Sequence, residues 1–164
     1  MKWLYLVRHG KASWEEAGLS DADRPLLPVG IERTQKVTAF LLQKGIKPDL
    51  ILSSPATRAL DTALIIAKGL NYPEGQIRIE RKIYTGFHNH ILDLISEKTD
   101  EIHSILITGH NPVISRLANH FLKPGIENMP TSSVVCLSFP VDRWKEIRTA
   151  HATREFIVYP KQLP

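Results

Sequence analysis

An arginine and a histidine stand side by side near the start of the chain, where an apolar segment ends. Residues 4–7 are all apolar or aromatic, a pattern typical of a parallel strand that is buried on both faces. Arg8 and His9 then fall at the carboxyl end of that strand, where open α/β sheets bind ligands, and Gly10 permits a sharp turn. Arginine is a fork-shaped donor suited to phosphate, and a histidine beside it can attack phosphorus.

Two more strand ends carry side chains of the same kind. A second buried strand, at residues 49–53, leads into a helix with Arg58 in its first turn, and a third, at residues 104–108, leads to His110. The carboxyl ends of parallel strands meet at one edge of a sheet, so we expect these side chains to converge. Two arginines and a helix amino end would bind a dianion. The two histidines would supply a nucleophile and a further phosphate ligand, which together predict phosphoryl transfer through a phosphohistidine.

The hydrophobic pattern of the whole chain predicts an α/β fold. Strands that alternate with helices favour a mostly parallel sheet, and two late strands without a crossover helix favour one antiparallel strand near an edge. We therefore expect a three-layer α/β/α sandwich around a mixed sheet of about six strands. Ser54 and Asn111 are expected to cap two of the helices, each with proline at the first helical position. Expected strands cover residues 4–7, 49–53, 77–80, 104–108, 134–139 and 155–159, and expected helices run over about 28–43, 54–70, 91–98 and 112–121.

Three segments resemble the motifs of a known family, the histidine phosphatase superfamily, which includes the phosphoglycerate mutases. These are residues 6–10 (LVRHG), 53–63 (SSPATRALDTA) and 108–112 (TGHNP). The chain is most similar to the short branch of phosphohistidine phosphatases that resemble SixA. Further marks of that branch are residues 23–26 (DRPL), Gly30 and the pair Ser132 and Ser133. The resemblance spans nearly the whole chain and implies a phosphoglycerate mutase-like fold.

The resemblance also assigns roles to four residues. It implies that His9 is the nucleophile and that Arg8, Arg58 and His110 bind the phosphoryl oxygens. Phosphoryl transfer depends mainly on positioning and charge neutralisation, which these side chains can supply, so we expect no cofactor and no metal. The fork geometry of the two arginines predicts that lysine would replace either poorly.

The chain departs from the wider superfamily in its general acid. Mutases and many phosphatases of the family carry a glutamate in the region that here spans residues 81–88, which contains no carboxylate. The candidates that remain are Asp21, Asp23, Tyr84 and His88. An alkoxide leaving group needs an acid, whereas the P–N bond of phosphohistidine is already labile. The absence of large lid insertions also favours an open pocket, and therefore a phosphorylated protein as substrate.

The function expected from this reasoning is removal of phosphate from phosphohistidine in proteins. The partner would be a phosphorylated protein, such as a histidine-containing phosphotransfer domain. A small-molecule phosphomonoesterase with the same site, acting on a small phosphate ester, is the alternative. A phosphohistidine-binding module without turnover is a third hypothesis, less favoured because the chain retains His9.

Composition narrows the class of protein further. The 164 residues carry 21 Lys and Arg against 17 Asp and Glu, a net charge of +4. That length predicts one domain over residues 1–164, which the resemblance implies is a histidine phosphatase domain. The basic residues are spread along the chain, which argues against nucleic acid as a partner. The single cysteine, Cys136, excludes an internal disulfide. No apolar run approaches the ~18 residues of a membrane span, and no signal peptide is recognisable, so we expect a cytoplasmic protein.

Overall fold

A six-stranded mixed sheet forms the centre of the computed structural model, which describes residues 1–14 and 18–164. The strands are β1 (Lys2–Arg8), β2 (Leu50–Ser53), β3 (Arg78–Ile79), β4 (Ser104–Gly109), β5 (Val134–Phe139) and β6 (Thr153–Val158). Their order in the sheet is β3-β2-β4-β1-β5-β6. β1, β2, β3 and β4 are mutually parallel, and β5 pairs antiparallel with both β1 and β6. The expected mixed sheet, with one antiparallel strand next to an edge, is confirmed.

Helices cover both faces of this sheet. They are α1 (Pro28–Gln43), α2 (Thr57–Gly69), α3 (Lys82–Thr85), α4 (His88–Ser96) and α5 (Val113–Phe121). Successive side chains of a strand point to opposite faces, and β1 shows this directly. Leu4 and Leu6 pack in one core with residues of α3, α4 and α5, while Tyr5 and Val7 pack in a second core with residues of α1 and α2. The three-layer α/β/α arrangement is therefore confirmed. Among the described residues, none of the helices is long and apolar enough to span a membrane.

The beginnings of two helices differ from the sequence prediction. α2 begins at Thr57 and α5 at Val113, and neither has a side-chain cap. The Ser54 hydroxyl accepts a hydrogen bond from the Ala56 amide at 3.1 Å, within the turn before α2. The Asn111 amide group donates to the Met129 carbonyl at 3.0 Å. The Asn111 side-chain oxygen accepts from the Ser115 hydroxyl instead of a backbone amide of α5. The expected caps at Ser54 and Asn111 were wrong because neither side chain accepts a hydrogen bond from a backbone amide of the helix that follows it.

Candidate active site

The carboxyl ends of β1, β2 and β4 lie level at one edge of the sheet. Register places Arg8 opposite Gly109, and Ser53 opposite Thr108. Backbone hydrogen bonds extend this alignment beyond the strands, from the His9 amide to the Gly109 carbonyl at 3.0 Å. The ring centroids of His9 and His110 are 5.2 Å apart. Two histidines that are 101 positions apart in the chain therefore come into contact, as the strand-end argument predicts.

The ring of His9 is oriented by the backbone that follows it. Its Nδ1 lies 2.7 Å from the Gly10 carbonyl oxygen. A carbonyl can only accept, so Nδ1 must carry the proton in this contact. The lone pair of the neutral ring then resides on Nε2, and Nε2 is the atom able to attack phosphorus.

Gly10 is required for space. It is not among the residues with positive φ, so the expected sharp glycine turn is not what it contributes. A Cβ at this position would lie 3.0 Å from the Thr34 hydroxyl oxygen and 3.2 Å from the Gly30 carbonyl oxygen. The Gly10 amide donates to the Thr62 hydroxyl at 2.9 Å. Glycine therefore lets α1 pack closely against the segment that carries His9.

Both arginines are held by hydrogen bonds to connecting segments, Arg8 to the one between α5 and β5 and Arg58 to the one between β1 and α1. Arg8 donates through Nη1 to the Met129 carbonyl at 2.9 Å. Arg58, which is only 6% exposed, donates through Nη1 to the Asp21 carbonyl at 2.7 Å and through Nη2 to Asp21 Oδ2 at 3.1 Å. Within the part of the chain that the structure describes, Nε of each arginine is buried without a hydrogen-bond partner. Each guanidinium thus retains donor capacity for an anion.

Asp21 and Tyr84, two of the candidate general acids, meet at Arg58. The Tyr84 hydroxyl donates to Asp21 Oδ2 at 2.7 Å, and Arg24 donates to Oδ1 at 2.9 Å. The hydrogen bond from Tyr84, with those from Arg24 and Arg58, holds the pKa of the Asp21 carboxyl well below its usual range. The same hydrogen bond to Asp21 raises the pKa of Tyr84. Asp21 is therefore ionised at neutral pH in this arrangement. Its carboxylate binds Arg58 in the way that a phosphate oxygen would.

The other two candidate acids lie in different surroundings. Asp23 is exposed and accepts a hydrogen bond from the Ser20 hydroxyl at 2.9 Å. The His88 ring lies 6.4 Å from that of His120, on α5. No hydrogen bond among the described residues joins Asp23 or His88 to the four-residue cluster of Arg8, His9, Arg58 and His110. Within residues 1–14 and 18–164, no group of three or more His, Cys, Asp or Glu residues could hold a metal ion.

Sequence reasoning missed three side chains that build the site. Arg24 appeared only as part of a family motif, yet its guanidinium bonds to Asp21 and lies 4.2 Å from the Trp14 ring centroid. Ser54 was assigned to a helix cap, yet its hydroxyl lies 2.7 Å from His110 Nε2. Thr62 accepts from Gly10 and donates to the Arg58 carbonyl at 2.7 Å. All three lie within segments that resemble family motifs, residues 23–26 and 53–63, and that placement is the signal that could have found them.

Both cluster histidines are neutral at physiological pH. Burial lowers the pKa of His9 to about 4. The hydrogen bond to the Gly10 carbonyl raises this pKa, and the charges of Arg58 and Arg8 lower it further. Burial, followed by the neighbouring His9, lowers the pKa of His110 to about 3. A neutral imidazole keeps the lone pair that a nucleophile needs. The site therefore holds an unprotonated nucleophile beside two permanent positive charges.

These depressed pKa values predict that stability falls on mild acidification. An unfolded histidine titrates near 6.5, so between about pH 6.5 and 4 the unfolded chain binds more protons at His9 than the folded one does. The free energy of unfolding should therefore fall from pH 7 to pH 5, by on the order of 2 kcal/mol through His9 alone. Urea denaturation at pH 7, 6 and 5 measures this, and His9→Asn should show a weaker dependence. Identical pH dependence in both proteins would contradict the burial of a neutral His9.

Comparison with known proteins shows which family has this fold and these motifs. The model of the histidine phosphatase superfamily (branch 1) matches residues 4–83. An uncharacterised protein of Mycobacterium tuberculosis is 30% identical over 112 residues, which cover 68% of this chain and 67% of that protein. The chain belongs to the histidine phosphatase superfamily. A chloroplastic protein of Arabidopsis thaliana is 33% identical over 116 residues, and the match spans 66% of this chain but only 53% of that relative.

Solved structures of the superfamily share the fold along nearly the full chain. The protein histidine phosphatase SixA, complexed with tungstate, superposes with a TM-score of 0.83 at 21% identity, covering 98% of both chains. A proposed phosphohistidine phosphatase SixA from Agrobacterium tumefaciens gives a TM-score of 0.80 at 25% identity, covering 97% of this chain and 98% of that one. A mycobacterial glucosyl-3-phosphoglycerate phosphatase gives 0.67 at 15% identity, covering 94% and 97%. Superfamily membership supports phosphatase activity, and the fold is of the SixA-like, phosphoglycerate mutase-like type.

Proposed function

We propose that this chain is a phosphatase that forms a phosphohistidine on His9 and removes phosphate from phosphohistidine in proteins. The observation that carries the proposal is the orientation of His9. Its Nδ1 faces the Gly10 carbonyl at 2.7 Å, which leaves Nε2 as the free nucleophile of a residue that is 8% exposed. Arg8, Arg58 and His110 lie around the same strand ends and would bind the phosphoryl oxygens.

The reaction follows in two displacements. In the first, Nε2 of His9 attacks phosphorus, a P–N bond forms, and the bond from phosphorus to the leaving group breaks. In the second, a water molecule attacks the phosphoryl group, the P–N bond to His9 breaks, and the water's proton passes to phosphate or solvent. The arginines offset the charge on the equatorial oxygens in both steps. Neutral His9 is restored at the end.

The ionisation of Asp21 bears on which substrates can react. The low pKa of Asp21 and the raised pKa of Tyr84 make both poor proton donors to an alkoxide at neutral pH. The imidazole of a phosphohistidine needs no such donor, because its second ring nitrogen can take a proton from water and the ring departs neutral. This supports a phosphohistidine substrate over a stable phosphate ester. A histidine-containing phosphotransfer domain would present such a group at its surface.

A panel of substrates tests this specificity. We expect kcat/KM to be higher for a phosphohistidine protein or peptide than for phosphoserine and phosphotyrosine peptides, sugar phosphates and nucleotides. Phosphohistidine hydrolyses spontaneously, so rates with His9→Asn protein provide the matched blank. A sugar phosphate or nucleotide with the highest kcat/KM would instead support the alternative, a small-molecule phosphomonoesterase. The structural likeness to a glucosyl-3-phosphoglycerate phosphatase is the observation that favours this alternative.

A further inference from the structure

Ser54 is a buried hydroxyl residue in direct contact with His110. It follows β2 and is completely buried. Its backbone is held on both sides, since its amide donates to the Thr108 carbonyl at 3.2 Å and its carbonyl accepts from the Ser53 hydroxyl at 2.8 Å. Its hydroxyl oxygen lies 2.7 Å from His110 Nε2. The hydroxyl is therefore presented to the imidazole by a rigid segment.

The direction of this hydrogen bond follows from the other partner of the hydroxyl. The Ala56 amide lies 3.1 Å from Ser54 Oγ and can only donate, so Oγ is an acceptor there. The single proton of the hydroxyl then needs an acceptor of its own. Among the hydrogen bonds of the described residues, His110 Nε2 is the partner that can accept it. The opposite direction would leave a buried hydroxyl proton unpaired, which costs about 1–3 kcal/mol.

The tautomer of His110 is the consequence. A neutral imidazole carries one proton, so an Nε2 that accepts from Ser54 leaves that proton on Nδ1. Nδ1 is buried and has no hydrogen-bond partner in the described part of the chain. As an N–H it can donate to a phosphoryl oxygen, whereas as a bare nitrogen it would face that oxygen lone pair to lone pair. Burial lowers the pKa of His110 to about 3, so the ring is neutral and has a single N–H. The tautomer therefore decides whether Nδ1 can donate to a phosphoryl oxygen.

We propose that Ser54 is a positioning residue that holds His110 in the Nδ1–H tautomer, so that neutral His110 donates a hydrogen bond to the transferring phosphoryl group. The inference rests on the proposed function for its catalytic part, but the tautomer itself is a property of the free protein. It extends the site from four residues to five and gives the second motif a role beyond supplying Arg58.

Nitrogen NMR of protein labelled with ¹⁵N in its histidine rings tests the tautomer directly. Resonances of His110 are assigned by their loss in His110→Asn protein. In the unaltered chain, we expect Nδ1 to show the shift of a protonated ring nitrogen and Nε2 that of an unprotonated one. Ser54→Ala should move His110 toward the Nε2–H form, and Ser54→Thr should restore Nδ1–H. Ser138→Ala removes a buried hydroxyl on β5 that bonds to Glu155 and touches neither Ser54 nor His110, and should leave the tautomer unchanged.

Kinetics then test what the tautomer does. Ser54→Ala should lower kcat about tenfold, less than the ~10²–10³ lost with an entire oxyanion donor, because part of the population keeps the competent tautomer. The inhibition constant for inorganic phosphate should rise in parallel, and Ser54→Thr should recover most of both. An Nε2–H tautomer in the unaltered chain would overturn the proposal whatever the activity. Nδ1–H in a chain that cannot be phosphorylated on His9 would support the tautomer and refute the proposed function.

Discussion

Replacing His9 with asparagine should abolish both turnover and phosphorylation of the protein. Asparagine approximates the shape of the ring near the backbone but has no nitrogen lone pair that can attack phosphorus. Loss of a covalent nucleophile costs several orders of magnitude, so we expect kcat on an aryl phosphate to fall by more than ~10⁴-fold. Mass spectrometry under alkaline conditions, which preserve phosphohistidine, should detect one phosphoryl group on the unaltered chain and none on His9→Asn.

His103→Asn is the matched control for this experiment. His103 is exposed, and the hydrogen bonds recorded for it involve its backbone. Its replacement should leave both the phosphoprotein and kcat unchanged. A phosphoryl group that persists in His9→Asn protein and maps to His110 would reverse the assigned roles of the two histidines. A phosphoryl group on neither residue, with activity retained, would refute the covalent mechanism.

Replacing Arg58 with alanine should lower kcat by ~10²–10³-fold. The guanidinium is almost fully buried at the amino end of α2, where its charge is poorly screened, and one of its nitrogens has no partner among the described residues. Arg58→Lys should recover only part of the loss, because an ammonium cannot reproduce the two-pronged geometry that phosphate prefers. Steady-state kinetics on an aryl phosphate measure both variants.

Arg143→Ala provides the comparison for Arg58. Arg143 follows β5 at the far end of the sheet, and about half of its side chain is exposed (51%). Its removal lowers the net charge by the same amount without reaching the site, so kcat should not change. An Arg58→Ala enzyme with unaltered kcat would show that Arg58 does not contact the phosphoryl group. Equal losses in Arg58→Ala and Arg143→Ala would point to net charge instead of a local contact.

Asp21 lies where a phosphoryl group would meet Arg58. In the structure its carboxylate and carbonyl occupy both Nη atoms of Arg58. Each Nη carries a second N–H, so a phosphoryl group that binds Arg58 through Nη would either share these nitrogens with Asp21 or displace it. We therefore expect the segment that carries Asp21 to lie beside a phosphoryl group bound at Arg58, although Asp21 is 37 residues from Arg58 in the chain.

Local pattern was sufficient for the strands, for most of the helical segments and for the four central side chains. Buried apolar runs of four to six residues predict parallel strands, and the carboxyl ends of such strands must lie at one edge of the sheet. Arg8, His9 and His110 follow such runs directly, so their proximity was predictable without coordinates. α1 was predicted with its observed bounds, Pro28–Gln43, since Pro28 at its start and Gly45 after its end are strong local signals.

Tertiary packing determined the hydrogen-bond partners of the capping candidates, the positions of the candidate acids and the pKa values of the two histidines. Ser54 and Asn111 carry good local capping signals, but hydrogen bonds to His110 and Met129 take their side chains elsewhere. Asp21 and Tyr84, 63 residues apart, meet at Arg58, while Asp23 lies two positions away from Asp21 and points to Ser20. The depressed pKa values of His9 and His110 likewise follow from burial and from neighbouring charges. Strand ends are set by local apolar runs, so the sequence alone indicates which reactive side chains stand at strand ends. Protonation states, the tautomer proposed for His110 and the surroundings of the candidate acids depend on long-range distances that no local pattern encodes.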